Sequence, residues 1–136
     1  MNSTNDDEVV YISAYELLDI NRELTESHGL RNVNLLNSAV TRPGIVLFGQ
    51  PQFPTLLDKA AALLHGLAYH HLFWDGNKRT AIEAVTRFLE RNGLRFDYDP
   101  DADYNYVLEI AQGNREIEQI ATWLAPRVSS LTANQP

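Results

Sequence analysis

The sequence predicts a single all-α domain with a short flap before its central helices. Apolar residues recur at helical spacing along most of the chain, and Ser/Thr capping signatures precede two of the apolar stretches. A proline- and glycine-rich interruption predicts the flap. With 136 residues, 44% of them hydrophobic, the chain is long enough to bury a substantial core. We place the core at about residues 10–127 and expect flexible tails at 1–8 and 129–136.

The first helices are predicted from their caps. The segment Ser13-Ala14-Tyr15-Glu16 fits a capping box, in which the serine hydroxyl and the glutamate carboxylate each accept a hydrogen bond from a backbone N–H. Apolar residues follow at helical spacing, and we expect Gly29 to end this helix. Asn34 is expected to cap a short helix that runs through Val40.

The helical pattern breaks between Thr41 and Pro54. This stretch contains three prolines, two glycines and the apolar run Ile45-Val46-Leu47-Phe48. Proline removes a backbone donor and glycine favours turns, so we do not expect a continuous helix here. We expect a long ordered loop or a small β-hairpin.

The second half of the chain returns to helical patterning. Thr55 with Asp58 offers a second capping signature, and a strongly apolar helix is expected from there to about His71. After a loop, a long amphipathic helix should cover about residues 77–92, with Gly93 at its end.

The last third of the chain predicts shorter elements. Residues 94–96 have the composition of a strand fragment. Asp101 or Asp103 is expected to cap the next helix, which Gly113 ends, and Asn114 is expected to open the last one.

Composition excludes several classes of protein. There is no cysteine, so disulfides and cysteine zinc sites are excluded. No apolar run approaches the roughly 20 residues that span a membrane. The polar, acidic start of the chain is not a secretory signal, which favours the cytosol. A net charge of −7 argues against nucleic-acid binding through a general basic surface.

The most informative segment is His71-Leu72-Phe73-Trp74-Asp75-Gly76-Asn77-Lys78-Arg79-Thr80. It carries an imidazole, a carboxylate, two cations and a hydroxyl between two helix-like stretches. We expect a short loop that leads into a helix start, where free backbone N–H groups and the helix dipole favour an anion. A base, a metal-binding carboxylate and an anion site together indicate phosphate-transfer chemistry.

His71 is the candidate general base of this loop. An imidazole is the side chain best suited to take a proton from a hydroxyl at neutral pH. The structural alternative is a partly buried histidine at a helix C-terminus, and His65 and His70 have only that interpretation. The three histidines lack the i,i+4 spacing of metal ligands on one helix face. Phe73 is expected to anchor the loop in the core.

The residues that follow are candidates for holding a phosphate. Asp75 is a candidate Mg²⁺ ligand, with a turn carboxylate or helix cap as the alternative. Gly76 allows the backbone to approach a phosphate closely. Asn77 belongs to the candidate anion site and is alternatively a helix cap. Lys78 and Arg79 lie in a predicted first helical turn, where two cations oppose the helix dipole unless an anion binds.

The segment His71 to Arg79 resembles the signature of the Fic/Doc family, His-Pro-Phe-x-Asp/Glu-Gly-Asn-Gly-Arg-x-x-Arg. Lys78 stands where general Fic enzymes have Gly, and Ile82 stands where they have the last Arg. Both departures match the Doc branch, named for "death on curing". Three further segments are similar to Doc-type toxins: Ile12 to Leu18, Leu35 to Val40 and Arg87 to Gly93.

The resemblance implies a compact α-helical Fic fold and a transferase. It implies that His71 is the general base, that Asp75 binds Mg²⁺, and that Gly76-Asn77-Lys78-Arg79 cradle the phosphates of ATP. Most Fic proteins transfer AMP to a Ser, Thr or Tyr hydroxyl, whereas Doc toxins transfer the γ-phosphate to a threonine of elongation factor Tu and stop translation. Ile82 goes with the Doc-like nucleotide orientation, so phosphate transfer is the first expectation and AMP transfer the alternative.

The resemblance also implies two protein partners. The flap of Fic enzymes pairs its main chain with the target segment, and here Ile45 to Phe48 is the candidate. No Fic-type autoinhibitory motif is visible in the sequence, so inhibition is expected from a separate antitoxin of the Phd type.

Two other classes of function compete with this hypothesis. A degenerate Fic domain that only binds a partner is disfavoured because His71, Asp75 and Asn77 are all intact. A helical DNA-binding module is disfavoured because the chain has a net negative charge and its basic residues are concentrated around one loop.

Overall fold

The computed structural model describes residues 8–26 and 29–131. Helices dominate this part of the chain and two short strand pairs accompany them, which confirms the predicted mostly α-helical class. The helices are α1 (Ala14–Leu24), α2 (Val33–Thr41), α3 (Leu56–Tyr69), α4 (Asn77–Arg91), α5 (Pro100–Ala111) and α6 (Ile117–Leu124). The strands are β1 (Val46–Leu47), β2 (Gln50–Pro51), β3 (Leu94–Phe96) and β4 (Val128–Ser130). Of the expected tails at 1–8 and 129–136, residues 1–7 and 132–136 lie outside the described residues.

Helix α1 begins at the predicted capping box but ends earlier than expected. The Ser13 hydroxyl accepts from the Glu16 N–H at 3.2 Å, and the Ser13 N–H donates to the Glu16 carboxylate at 2.9 Å. The helix ends at Leu24 with Thr25 as its C-cap, so the expected stop at Gly29 is wrong. Thr25 turns to an extended backbone there, and its buried hydroxyl donates to the Asn21 carbonyl at 3.0 Å. This hydrogen bond satisfies a carbonyl of the last turn.

The N-cap of helix α2 lies two residues before the expected one. Asn32, and not Asn34, is the N-cap: its side-chain oxygen accepts from the Leu35 N–H at 3.0 Å. The backbone N–H of Asn32 also donates to the carbonyl of Leu72 at 3.3 Å. Both asparagines are good caps by type. A long-range contact that the local sequence does not encode therefore fixes where α2 begins.

The expected flap is a β-hairpin. A 3₁₀ turn at residues 42–44 leads into β1, which pairs antiparallel with β2. Phe48 and Gly49 form the two-residue turn, both with left-handed backbone at φ 53° and 78°. A type I′ turn requires a left-handed backbone at both central residues. Hairpins favour this turn because its twist matches that of the strands. Phe48 is fully exposed at the tip, at 103% of its reference surface.

Lys59 of α3 fastens both ends of the flap to the core. Its side chain is completely buried, and its ammonium donates to the carbonyls of Pro43 at 3.4 Å and Phe53 at 2.6 Å. A buried ammonium needs such acceptors because desolvation is costly. The hairpin therefore projects from a fixed base.

Helix α3 is the centre of the molecule. It starts at the predicted capping box, in which the Thr55 hydroxyl accepts from the Asp58 N–H at 3.0 Å. It packs against α2, α4, α5 and α6. Its buried residues cover all faces of the helix, as expected for a helix inside a core. The helix ends at Tyr69, two residues before the expected end at His71.

Regular secondary structure continues closer to the C-terminus than expected. Helix α4 confirms the long amphipathic helix, and the predicted strand fragment is β3. β4 pairs antiparallel with β3 along the register Leu94↔Ser130 and Phe96↔Val128. The expectation of a flexible tail from residue 129 is therefore wrong for Ser129 and Ser130. Pairing with β3 gives these two serines a strand conformation. The local sequence does not predict this conformation, because short polar residues have no strong preference for strands.

The cap of α5 lies upstream of both expected residues. Asp99 is the N-cap and accepts from the Asp101 N–H at 3.0 Å. Asp103, one of the two expected caps, is instead nearly buried and accepts from the Arg127 guanidinium at 2.9 Å. The guanidinium of Arg127 lowers the pKa of Asp103. This ion pair joins α5 to the turn that follows α6.

Helix α6 begins at Ile117 with Glu116 as its N-cap, later than the expected start at Asn114. The Asn114 N–H instead donates to the Glu109 carbonyl at 2.9 Å and closes the end of α5. Over the described ranges, no helix combines the length and the apolar character that crossing a membrane requires.

Candidate active site

His71 begins the loop that joins α3 to α4. His70 is the C-cap of α3, and His71 then adopts a left-handed backbone at φ 51°. A residue with a Cβ adopts this conformation at a cost of roughly 1–2 kcal/mol. The turn takes the chain out of the helix and leaves the side chain exposed. The imidazole is therefore accessible to solvent at this position.

Residues 29–32, which follow α1, form backbone hydrogen bonds with the loop between α3 and α4. The Arg31 N–H donates to the Leu72 carbonyl at 2.7 Å, and the Trp74 N–H donates to the Gly29 carbonyl at 3.2 Å. The guanidinium of Arg31 also lies over the exposed Trp74 ring, 5.4 Å from its centroid. The backbone on both sides of Phe73 is thus fixed by a segment distant in sequence.

Asn77 closes the loop on itself. Its side-chain amide donates to the Phe73 carbonyl at 2.9 Å, and its side-chain oxygen accepts from the Phe73 N–H at 3.0 Å. The Phe73 ring is 3% exposed, which confirms that it anchors the loop in the core. Because the side-chain oxygen and one of the two amide N–H groups are used here, the Asn77 side chain has at most one N–H left to contribute to an anion site.

Gly76 is the N-cap of α4 and sits directly against α1. It has a left-handed backbone at φ 75°, and a Cβ there would collide with Cγ2 of Thr25. Next to it, the buried Asn21 side chain donates to the Asp75 carbonyl at 2.9 Å and to the Thr80 hydroxyl at 3.1 Å. Both the torsion and the space therefore require glycine at this position.

The Asp75 carboxylate is exposed beside this turn. One of its oxygens accepts from the Gly76 N–H at 2.8 Å, which orients the side chain. Among the described residues, no group of three or more His, Asp or Glu side chains could hold a metal ion. A single carboxylate suits Mg²⁺ when phosphate oxygens and water supply the other ligands.

The first turn of α4 presents unpaired donors and cations. The helix has no side-chain hydrogen bond at its N-cap, so the N–H groups of Asn77, Lys78 and Arg79 have no partner within the helix. No carboxylate within residues 8–26 and 29–131 forms an ion pair with Lys78 or Arg79. These groups line an open cavity of about 250 Å³, which we call the phosphate cavity.

The phosphate cavity brings together five of the six predicted site residues. Its lining consists of Asp75, Gly76, Asn77, Lys78, Arg79 and Tyr104. His71 is outside that lining, at the start of the loop. The arrangement suits a polyanion at the first turn of α4, with the exposed Asp75 carboxylate in the same lining.

Comparison with known proteins gives two matches. The model of the Fic/DOC family matches residues 11–89. The chain is also 42% identical over 98 residues to a protein named "Toxin Doc" from Mycolicibacterium smegmatis, an alignment that covers 71% of this chain and 75% of that protein. The chain belongs to the Fic/DOC family.

Membership explains the order of groups in the loop. Members of the Fic/DOC family are enzymes that transfer nucleotide or phosphate groups to proteins. The matched region, residues 11–89, contains α1, the flap, α3 and the loop with most of α4. The roles of His71, Asp75 and the residues of the phosphate cavity in this Fic/DOC chain stay predictions.

Two other histidines of this Fic/DOC chain have structural roles, as predicted. His65 stacks on Tyr69 with ring centroids 5.4 Å apart, and His70 meets Tyr69 edge-on at 5.0 Å. Burial, with Arg42 nearby, lowers the pKa of both imidazoles. Both rings are therefore held neutral near pH 7.

Sequence reasoning missed three residues that build the site. Asn21 and Thr25 of α1 position the turn at Gly76, and Tyr104 of α5 lines the phosphate cavity. A polar residue on the buried face of α1 was a signal for Asn21, because buried amides need partners. Tyr104 comes from a helix distant in sequence, and no local pattern places it beside the loop.

Proposed function

We propose that this protein is a Doc-type toxin that transfers the γ-phosphate of ATP to a threonine hydroxyl of elongation factor Tu and so inhibits translation. The observation that carries the proposal is the phosphate cavity, where unpaired N–H groups and two cations meet an exposed carboxylate, with an exposed imidazole at the start of the same loop. The similarity to a Doc toxin supports the choice of reaction.

His71 is the proposed general base. Its imidazole takes the proton of the target hydroxyl as the oxygen attacks the terminal phosphorus. The new O–P bond forms while the bond from that phosphorus to the bridging β-phosphate oxygen breaks, and ADP leaves with that electron pair. The left-handed backbone at His71 and the Arg31 contacts around Leu72 position the ring without burying it. General bases contribute about 10²–10⁴-fold in rate.

The first turn of α4 is the proposed phosphate site. Its free N–H groups and the side chains of Lys78 and Arg79 offset the negative charge of the polyphosphate. Asp75 would hold Mg²⁺, which when bound neutralises part of the developing phosphate charge. The N–H of Gly76 already donates to the Asp75 carboxylate. The role of Gly76 is therefore to give the turn its conformation.

The flap is the proposed contact for the target protein. Its apolar residues Ile45 to Phe48 are all exposed, and a hairpin edge offers main-chain hydrogen bonds to an extended segment. Phe48 combines full exposure with a left-handed backbone, which a bulky aromatic residue seldom adopts. Such strain at an exposed position supports a functional role for that ring.

An antitoxin of the Phd type is the proposed inhibitor. The relative carries the name of a toxin, and toxins of this kind need a partner that keeps them inactive in the producing cell. A segment that covers the cations of the phosphate cavity would block ATP directly.

The decisive experiment uses ATP labelled at either the α- or the γ-phosphorus. The protein is incubated with Mg²⁺ and elongation factor Tu, and His71→Ala serves as the inactive control. We expect label on elongation factor Tu from γ-labelled ATP only, and none with His71→Ala. Label from α-labelled ATP alone would establish the alternative, AMP transfer. Label from neither would overturn the transferase assignment for this target.

A further inference from the structure

Arg31 and Trp74 form an exposed platform beside His71. Trp74 is 65% exposed, although the residue before it in the loop, Phe73, is anchored in the core. The Arg31 guanidinium lies over the Trp74 ring, 5.4 Å from its centroid, and its Nη1 donates to the His71 carbonyl at 3.5 Å. This pair, which we call the Arg31–Trp74 platform, therefore adjoins the backbone of the proposed base.

The backbone holds both members of the platform in place. The Arg31 N–H donates to the Leu72 carbonyl at 2.7 Å, and the Trp74 N–H donates to the Gly29 carbonyl at 3.2 Å. The Trp74 ring lies close to Gly29, where a Cβ would be 3.2 Å from Cδ1 of the ring. A surface whose parts are already fixed loses little conformational entropy when a partner binds to it.

The charge of Arg31 is not neutralised by a neighbouring side chain. No carboxylate within residues 8–26 and 29–131 forms an ion pair with it, whereas most other arginines there are paired: Arg22, Arg87, Arg91, Arg95, Arg115 and Arg127. A guanidinium has five N–H donors, and one of them faces the His71 carbonyl. The others can bind a carboxylate as a planar fork. On a chain of net charge −7, this exposed cation is a local site for an acidic group.

The position of the platform determines what can cover it. A hydroxyl that gives its proton to His71 must come within about 2.6–3.2 Å of the imidazole. Because Arg31 contacts the carbonyl of His71 itself, residues that flank the acceptor hydroxyl meet the platform. Tryptophan and arginine are also among the side chains that most often dominate the binding energy of protein interfaces.

We propose that the Arg31–Trp74 platform is a docking surface for the target protein, which presents a carboxylate beside its acceptor hydroxyl. This inference rests on the proposed function, because it needs a protein substrate at His71. The carboxylate binds the Arg31 guanidinium, and the apolar part of the same region of the target packs on the exposed part of the Trp74 ring. The flap would pair with the main chain of the target, which every protein has. The platform would recognise charge, and so it selects one hydroxyl among many.

The test measures steady-state transfer of γ-labelled phosphate from ATP to elongation factor Tu. Arg31→Ala should raise the KM for elongation factor Tu about tenfold, with kcat and the KM for ATP unchanged. Arg31→Glu should raise it further, roughly a hundredfold, because a second carboxylate repels the first. Trp74→Ala should raise the same KM about tenfold, and Trp74→Phe should recover most of that loss because an aromatic face remains.

Two matched controls remove the same kinds of side chain from other surfaces. Arg95→Ala removes a part-exposed arginine of β3, and Tyr15→Ala removes an exposed aromatic residue of α1. Neither should change the KM for elongation factor Tu. Partial unfolding of a variant lowers kcat and does not raise the KM for one substrate alone, so the expected pattern is specific to docking.

The outcomes separate this inference from the proposed function. A lower kcat with an unchanged KM for elongation factor Tu would mean that Arg31 positions His71 and is not a docking residue. An Arg31→Glu variant no worse than Arg31→Ala would overturn the carboxylate as the partner. Unchanged KM in every variant of an active enzyme would overturn the platform and leave the proposed function intact. No transfer by the wild-type protein would overturn the proposed function, and the docking surface with it.

Discussion

Asn77 and Phe73 are joined by two hydrogen bonds, one in each direction between the Asn77 side chain and the Phe73 backbone, at 2.9 and 3.0 Å. A residue of the first helical turn thus fixes the loop that precedes it. Phe73 in turn is locked in the core. The loop that carries His71 and Asp75 is therefore held by backbone contacts before any ligand binds, which is the preorganisation that transfer chemistry requires.

Asn77→Ala should destabilise the nucleotide-free protein. It removes both hydrogen bonds and leaves partly buried backbone groups of Phe73 unsatisfied, at a cost of about 2 kcal/mol. The rate of phosphate transfer should also fall, because the two hydrogen bonds between Asn77 and Phe73 no longer hold the loop. Urea unfolding without nucleotide measures the first effect, with the exposed Asn34→Ala on α2 as the control. An Asn77→Ala protein as stable as wild type would assign the side chain to the ligand and not to the loop.

Two substitutions of His71 should lower activity equally but differ in stability. His71→Ala and His71→Gly both remove the proposed base, so each should lower transfer by about 10²–10⁴-fold. His71→Gly should be more stable than His71→Ala by roughly 1 kcal/mol, since only glycine adopts the left-handed backbone without steric cost. Transfer assays and chemical denaturation of the two variants test this. Near-normal transfer by either variant would place the base elsewhere.

ATP with Mg²⁺ should raise the melting temperature of the protein. At a ligand concentration near 100 times Kd the stabilisation is about 2.7 kcal/mol, equivalent to roughly 10 °C for a domain of this size. Asp75→Asn should remove the Mg²⁺-dependent part of the shift, because an amide is a poorer ligand for Mg²⁺. Arg79→Ala should weaken the shift with or without metal, because it removes donors to phosphate.

Arg22→Ala, which removes an exposed arginine of α1, is the control for these thermal measurements. Saturating ATP and Mg²⁺ that left the wild-type melting temperature unchanged would remove the support for a phosphate site. Crystals grown without nucleotide should contain phosphate, sulfate or a partner's carboxylate against the first turn of α4.

Phe48→Asn should impair modification of the target without weakening ATP binding. Asparagine tolerates the left-handed backbone of the hairpin tip, so the flap should fold at least as well as in wild type. Loss of an exposed aromatic contact should lower kcat/KM for the target protein roughly tenfold. Steady-state transfer kinetics and the ATP-dependent melting shift separate the two effects. Val33→Ala, which truncates an exposed side chain on α2, is the control. Unchanged kcat/KM would remove Phe48 from the target contact.

Glu16 should make the stability of the protein dependent on pH in acid. Hydrogen bonding to Arg91 lowers the pKa of Glu16 from 4.5 to about 2. The unfolded chain binds this proton more readily, so the stabilisation is complete above about pH 4.5 and is lost as the pH falls toward 2. The Glu16 side chain is 30% exposed, and solvent screening reduces its contribution to about 1 kcal/mol.

Glu16→Gln tests this because glutamine preserves the capping box and removes only the charge. The variant should be less stable than wild type at pH 7, and the difference should shrink below pH 4.5 and disappear as the pH falls below about 2. The exposed Glu90→Gln on α4 is the control and should show no such pH dependence. A difference that persisted unchanged to pH 2 would mean that packing, and not the ion pair, is what Glu16 supplies.

The elements that the sequence predicted well are those whose signals are local. The capping boxes at Ser13 and Thr55 act within one helical turn, so reading a few residues sufficed. The long amphipathic pattern predicted α4, and the order of groups from His71 to Arg79 predicted the site loop. Proline and glycine act on their own backbone and on that of their neighbours, which is why the flap could also be predicted.

Tertiary structure decided whatever depends on a distant partner. Asn32 starts α2 because its N–H meets Leu72, and β4 is ordered because it pairs with β3. The placement of Tyr104 with Lys78 in the lining of the phosphate cavity follows from the packing of α5 near α4. Residue type alone specifies what each side chain can do, whereas the folding of distant segments onto one another specifies which partner it meets.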